Sequence, residues 1–213
     1  MEKQNEPLSS LIHLIGTVLS VAALSILVVF AALYSTAWHV TTFAIFGAAL
    51  ILVYLTSTIY HFLSHPKAKR VFRKIDHSMI YVLIAGSYTP ICLIALCGAW
   101  GWSLFGVIWG LAILGIVLST TLKIKGWLAT IIYIILGWLA VIALAPLTKA
   151  VPFAGIMWLL AGGIFYTLGT IFHGLHKILP FRRWFNMHDV FHLFVLAGSF
   201  SHFWLMFKYI LYL

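Results

Sequence analysis

Charge is what this chain has least of. Of its 213 residues, 13 are Lys or Arg and four are Asp or Glu, 8% in all against roughly 25% in an ordinary soluble domain. So few charges cannot cover a surface while 63% of the residues are hydrophobic, so a water-soluble globule is excluded and lipid must be the main solvent. Disorder is excluded too, because its signature is low hydrophobicity and the mean hydropathy here is +1.09. Thiols are almost as scarce. The two cysteines, Cys92 and Cys97, lie five apart in one apolar segment, on different sides of a helix, and form no disulfide framework. No polar gap is long enough to hold a soluble domain, and no internal repeat or low-complexity segment stands out. There is no GxSxG, no glycine-rich phosphate loop and no cysteine nucleophile with a base partner.

What charge there is gives a net +9, which in a soluble chain would suggest nucleic acid. Its distribution argues otherwise. The cations fall in short polar gaps between apolar stretches and make no basic helix or aromatic-interleaved patch, so nucleic acid is set aside.

A spanning helix needs about 20 apolar residues. Seven nearly charge-free windows of that length occur, approximately Leu11 to Tyr34, His39 to Ser64, Asp76 to Leu96, Trp100 to Thr121, Gly126 to Leu147, Phe153 to Leu175 and Asp189 to Leu213. They predict an all-α integral membrane protein, residues 1–213 forming one seven-helix membrane domain. The first window is too long for a signal-peptide core and runs directly into the second, so it is expected to stay in the mature protein.

Orientation follows from the cations. Lys3, Lys67, Lys69, Arg70, Arg73, Lys74, Lys123, Lys125, Lys177, Arg182 and Arg183 fall on one side, and only Lys149 and Lys208 on the other. The N-terminus is expected in the cytoplasm and the C-terminus outside. Trp38, Trp100 and Trp102 then mark the outer interface, and Trp127 and Trp184 the inner one. Gly16, Gly47, Gly86, Gly106, Gly110, Gly162, Gly163 and Gly169 suit close helix packing. Pro90 should kink the third span, with Ser87 or Thr89 satisfying freed backbone groups.

The ten histidines are placed unevenly. His39 lies at the outer edge and His202 within the seventh span, whereas His13, His61, His65, His77, His173, His176, His188 and His192 fall at or near cytoplasmic helix ends. His188 and His192, four apart at the start of span seven, share a helical face, which is the spacing of a two-ligand metal site. Span two ends in Ser57 and His61, again on one face and at the same depth, and span three opens at Asp76 on that side. Three imidazoles, a hydroxyl and a carboxylate thus meet at one level of the bundle.

Three neutral imidazoles with an open fourth position describe catalytic zinc, which keeps a water and lowers its pKa. Asp76 is then positioned as general base or as a hydrogen-bond partner of a ligand, and Ser57 as donor to an oxyanion. The bland alternative is a set of groups hydrogen-bonded to one another inside the bundle, although intramembrane ionisable residues are expensive enough to favour function. Elsewhere, Glu6 and His13, seven apart, suit a cap over the cytoplasmic mouth or an ordinary interfacial helix. His173 and His176 read as interfacial, Asp189 as the cap of the seventh helix, and His202 as a packed residue too deep to reach the same metal.

At these residues the chain resembles a known pattern. Glu6 to Gly16 (EPLSSLIHLIG), Ser57 to Asp76 (STIYHFLSHPKAKRVFRKID), Ala85 to Pro90 (AGSYTP) and His188 to His202 (HDVFHLFVLAGSFSH) together resemble the hemolysin III branch of the progestin and adipoQ receptor (PAQR) superfamily, along nearly the whole length. The resemblance implies seven helices, a cytoplasmic N-terminus, a bacterial cell membrane, and zinc on His61, His188 and His192 with Asp76 and Ser57 beside it. Its first motif usually has Asn where Ser9 stands.

Two functions need the same ligands. One is a zinc hydrolase cutting an amide or ester of a membrane lipid that enters from the bilayer, as resemblance to the alkaline ceramidases implies, with an effect on lipid homeostasis. The other is a non-enzymatic sensor or receptor in which zinc ties helices together. A cytolysin, implied by the hemolysin name, fits less well with secretion, since a secreted pore-former must first be soluble.

Overall fold

The computed structural model of the chain describes residues 6–122, 124–175 and 186–213. Lys3, Lys123, His176, Lys177, Arg182, Arg183 and Trp184 lie outside the described residues. The described residues form seven helices long and apolar enough to cross a membrane, and no strand. They are α1 (Pro7–Tyr34), α2 (Ala37–Phe62), α3 (Pro66–Leu96), α4 (Gly98–Thr121), α5 (Gly126–Ala150), α6 (Phe153–Leu175) and α7 (Met187–Ile210).

Sequence neighbours pack on one another, and α7 closes the ring against α1. The interior is filled by large side chains with no exposure, such as Phe43, Phe46 and Tyr81, while Val18 and Leu33 are more than 60% exposed on the outside. Outward apolar faces are what a bundle dissolved in hydrocarbon requires.

The seven windows are recovered, with two starts corrected. Helix α3 begins at Pro66, ten residues before Asp76, so Lys67, Lys69, Arg70, Arg73 and Lys74 are helical and the chain does contain a basic helical segment. A charge-free window misses these turns because Lys and Arg are good helix formers, and Pro66 suits the first helical position. Helix α7 is capped by Asn186, not Asp189: the Asn186 side chain accepts from the His188 and Asp189 amides, and Asp189 Oδ2 accepts from the Asn186 amide at 2.9 Å. Asp189 is thus the third-position partner of a capping box.

At Pro90 α3 changes into a π-helical segment, Ile91–Leu96. The Ser87 and Thr89 hydroxyls do not take up the carbonyl four residues before Pro90. They bond one turn back to the Ile84 and Ala85 carbonyls, while Trp38 Nε1 donates to the Leu93 carbonyl from α2 at 3.0 Å. Helix α5 has its own irregular turn, 3₁₀ over Leu139–Ala143, for which the structure shows a cause. The Tyr88 hydroxyl of α3 inserts into the ladder, donating to the Gly137 carbonyl and accepting from the Ala140 amide, both at 2.7 Å.

Not every glycine marks a close approach. A Cβ at Gly16 would lie 2.6 Å from Tyr54 Cδ1, and one at Gly86 2.6 Å from Ala49 Cβ, so these two helix crossings need hydrogen there. Gly106 and Gly110 face nothing within 4 Å among the described residues and serve no close approach there.

Candidate metal centre

Where α2 ends and α7 begins, the ligand nitrogens of His61, His188 and His192 lie within 4.8 Å of one another. His61 and His192 are buried and His188 is half-buried. The helical repeat brings them together: His188 and His192 stand one turn apart on α7, and His61 enters from the last turn of α2. Their ring centroids are 4.4 to 5.1 Å apart.

Each ring uses Nδ1 for an outer partner. His61 Nδ1 is 2.7 Å from Glu6 Oε2, His188 Nδ1 is 3.1 Å from His173 Nδ1, and His192 Nδ1 bonds His13 Nε2. With Nδ1 engaged in this way, a metal would be held through Nε2. His192 Nε2 is fully buried and has no hydrogen-bond partner, although a buried polar group without one is costly. A cation held among the three rings would satisfy it. The donor set, all imidazole and no thiolate, suits zinc, since Cys92 and Cys97 lie at the other end of α3.

Glu6, His13 and His173 therefore belong to the site. Glu6 and His13 make direct contacts with the rings of His61 and His192, and His173, read as interfacial, contacts that of His188. A sequence signal did exist: Glu6 is one of only four acidic residues, and it stands two helical turns before a histidine. The start of α1 is pinned further. The Glu6 amide donates to the His61 carbonyl at 3.0 Å, Ser10 Oγ to the Thr58 carbonyl, and Ser9 Oγ to Asp189 Oδ1 at 2.7 Å. His13 also packs edge-on against Tyr54, whose hydroxyl meets Ser199 at 2.6 Å beside Tyr166, a polar layer joining α2, α6 and α7.

Ser57 is buried on α2 one turn before His61. Asp76 is not one of the three grouped residues; its Oδ2 lies 3.6 Å from His77 Nδ1, and the carboxylate is close enough to act electrostatically on Tyr60, the neighbour of His61. His65 and His77 are exposed. His202 is buried against Tyr166 and over Gly162, with Nδ1 unpartnered, and takes no part in the cluster. A groove of about 570 Å³ along α3 is lined by Lys67, Arg70, Val71, Lys74 and Ile75, with no histidine among the described residues that border it.

Seven apolar helices with a histidine cluster buried at one end define a polytopic membrane protein with a candidate metal centre. The chain belongs to the Haemolysin-III related family, whose profile matches residues 1–203. It is 43% identical to "Hemolysin-3" of Bacillus cereus over 211 residues, covering 98% of this chain and 93% of that one. It is 42% identical to "Hemolysin-3 homolog" of Bacillus subtilis (strain 168) over 207 residues, 97% of this chain and 94% of the relative. "Monocyte to macrophage differentiation factor" of Homo sapiens is 26% identical over 179 residues, 81% and 72% of the two chains, and ties the family to the PAQR superfamily.

Proposed function

We propose that this chain is a zinc-dependent hydrolase of membrane lipids, cutting an amide or ester bond at a centre held by His61, His188 and His192. The observation that supports the reading is a largely buried group of three imidazoles whose ligand nitrogens lie within 4.8 Å of one another, each with its Nδ1 held by a neighbouring side chain. Zinc bound there supplies Lewis acidity and acidifies a water. The chain's own groups do the rest. Asp76 accepts a proton from the attacking water and returns it to the leaving group, and Ser57 donates to the carbonyl oxygen as its charge grows. The lipid carbonyl reaches this depth from the bilayer, in a bacterial cell membrane with this end of the bundle on the cytoplasmic side.

Metal analysis of purified protein is the first test. The wild type is expected to carry zinc, and a His188→Ala, His192→Ala double variant to lose it; equal zinc in both removes the site. Lipid analysis of membranes with and without the protein then identifies the bond cut. Asp76→Asn should retain zinc and thermal stability while turnover falls by about a hundredfold or more. A variant with full zinc and full effect on the cell favours the sensor instead, in which the metal ties α2 to α7 and, through Glu6 and His13, to α1. Lysis of erythrocytes by cells expressing wild type but not the double variant would point to the cytolytic activity that the names of the Bacillus relatives carry.

A further inference from the structure

The three contacts on the ligand rings have one feature in common. A neutral imidazole that binds a cation through Nε2 must carry its proton on Nδ1, and a fixed acceptor there selects that tautomer and stops the ring from turning. Glu6 Oε2 is such an acceptor for His61 at 2.7 Å. His13 Nε2 can serve as one for His192 when the His13 proton is on Nδ1. His173 Nδ1, at 3.1 Å from His188 Nδ1, can serve as one for His188 when its own proton is on Nε2. Two of the three acceptors come from α1, which contributes none of the three ligands.

We propose that Glu6, His13 and His173 are positioning residues of the metal centre, each holding one ligand imidazole in the Nδ1-protonated tautomer with Nε2 aimed at the ion. The start of α1 is then the outer half of the site. Its backbone is anchored to the end of α2 by the Glu6 amide on the His61 carbonyl, and its Ser9 is tied to Asp189 on α7, so the acceptors are brought to the ligands by helix docking. Glu6 differs from the two histidines in bringing a carboxylate, which raises the basicity of the ligand it touches. Losing it should therefore weaken metal binding most.

The inference rests on the zinc reading above, and the experiment separates the two. Zinc affinity is measured by chelator competition on the full chain, and the ligand field by the absorption of the Co²⁺-substituted protein. Glu6→Ala, His13→Phe and His173→Phe each remove one acceptor, the two phenylalanines keeping the ring volume. Each should lower zinc affinity by about 10- to 100-fold while saturating Co²⁺ still gives the spectrum of a three-histidine site. Glu6→Gln, which keeps an acceptor oxygen without the charge, should recover part of the loss. Ser9→Ala serves as comparison, since it loosens α1 from α7 without touching a ligand ring, and should lower zinc affinity by less than any of the acceptor variants.

Wild-type affinity in all three acceptor variants that fold overturns the inference and leaves the zinc reading intact. A Ser9→Ala variant weakened as much as the others also overturns it, because docking of α1 alone would then explain the losses. A wild-type protein that binds no zinc removes both.

Discussion

Ser9 and Asp189, 180 residues apart in sequence, are joined by a buried hydrogen bond in which Ser9 Oγ donates to Asp189 Oδ1 at 2.7 Å. The other carboxylate oxygen closes the capping box of α7 on the Asn186 amide, so one side chain both starts α7 and receives α1. Resemblance to the family had left the first motif unsettled, with Ser9 where Asn is usual. The structure shows what the position needs: a side-chain donor, which a hydroxyl supplies and an amide also can.

Ser9→Ala should therefore destabilise the protein by about 1–3 kcal/mol, because it leaves a buried carboxylate oxygen without its donor. Ser9→Asn should retain more stability than Ser9→Ala. Denaturant or thermal unfolding of the solubilised protein measures both, and an alanine variant as stable as wild type would show that the contact contributes nothing.

Two glycines from the same sequence pattern should behave in opposite ways. Gly16→Ala drives a methyl to 2.6 Å from Tyr54 Cδ1 and 2.9 Å from Leu196 Cδ2, and should cost about 1–3 kcal/mol as overpacking. Gly106→Ala meets nothing within 4 Å, and alanine favours the helix by about 1 kcal/mol, so stability should hold or rise. The pair of melting curves distinguishes helix-packing glycines from those on an open face.

Metal removal should be legible in stability. An ion that binds only the folded chain at one hundred times its dissociation constant adds about 2.7 kcal/mol, so a strong chelator should lower the melting temperature of the wild type and added zinc should restore it. His192→Ala should melt at the same temperature with or without chelator. A wild type indifferent to both reagents would contradict a bound ion.

Topology is checked by fusion. With eleven cations on one side and two on the other, a C-terminal reporter active only in the cytoplasm is expected to stay silent, and one active only outside to report. Strong cytoplasmic activity would invert the bundle and place the histidine centre at the opposite face.

The sequence determined the class of the protein and its number of helices. Long apolar windows suffice for that, because hydrocarbon leaves a chain no spanning structure but a helix bundle or a closed barrel. It also picked out the three histidines that the fold groups, since His188 and His192 share a helical face by periodicity alone and His61 ends α2 one turn after Ser57. Helix starts were less legible at charged ends. The basic turns of α3 from Pro66 look like a loop to any rule that counts charge, and Asn186 is recognisable as the cap only once its bonds to the amides of His188 and Asp189 are seen. What tertiary structure alone decided is the surroundings of the triad. Glu6 against His61, His13 against His192, His173 against His188 and Ser9 against Asp189 are contacts between separate helices, and their partners are set by crossing points such as Gly16 on Tyr54 that no local periodicity encodes. A period of 3.6 residues says which side chains share a face; which faces meet, and at what height, is fixed by how seven helices pack at once.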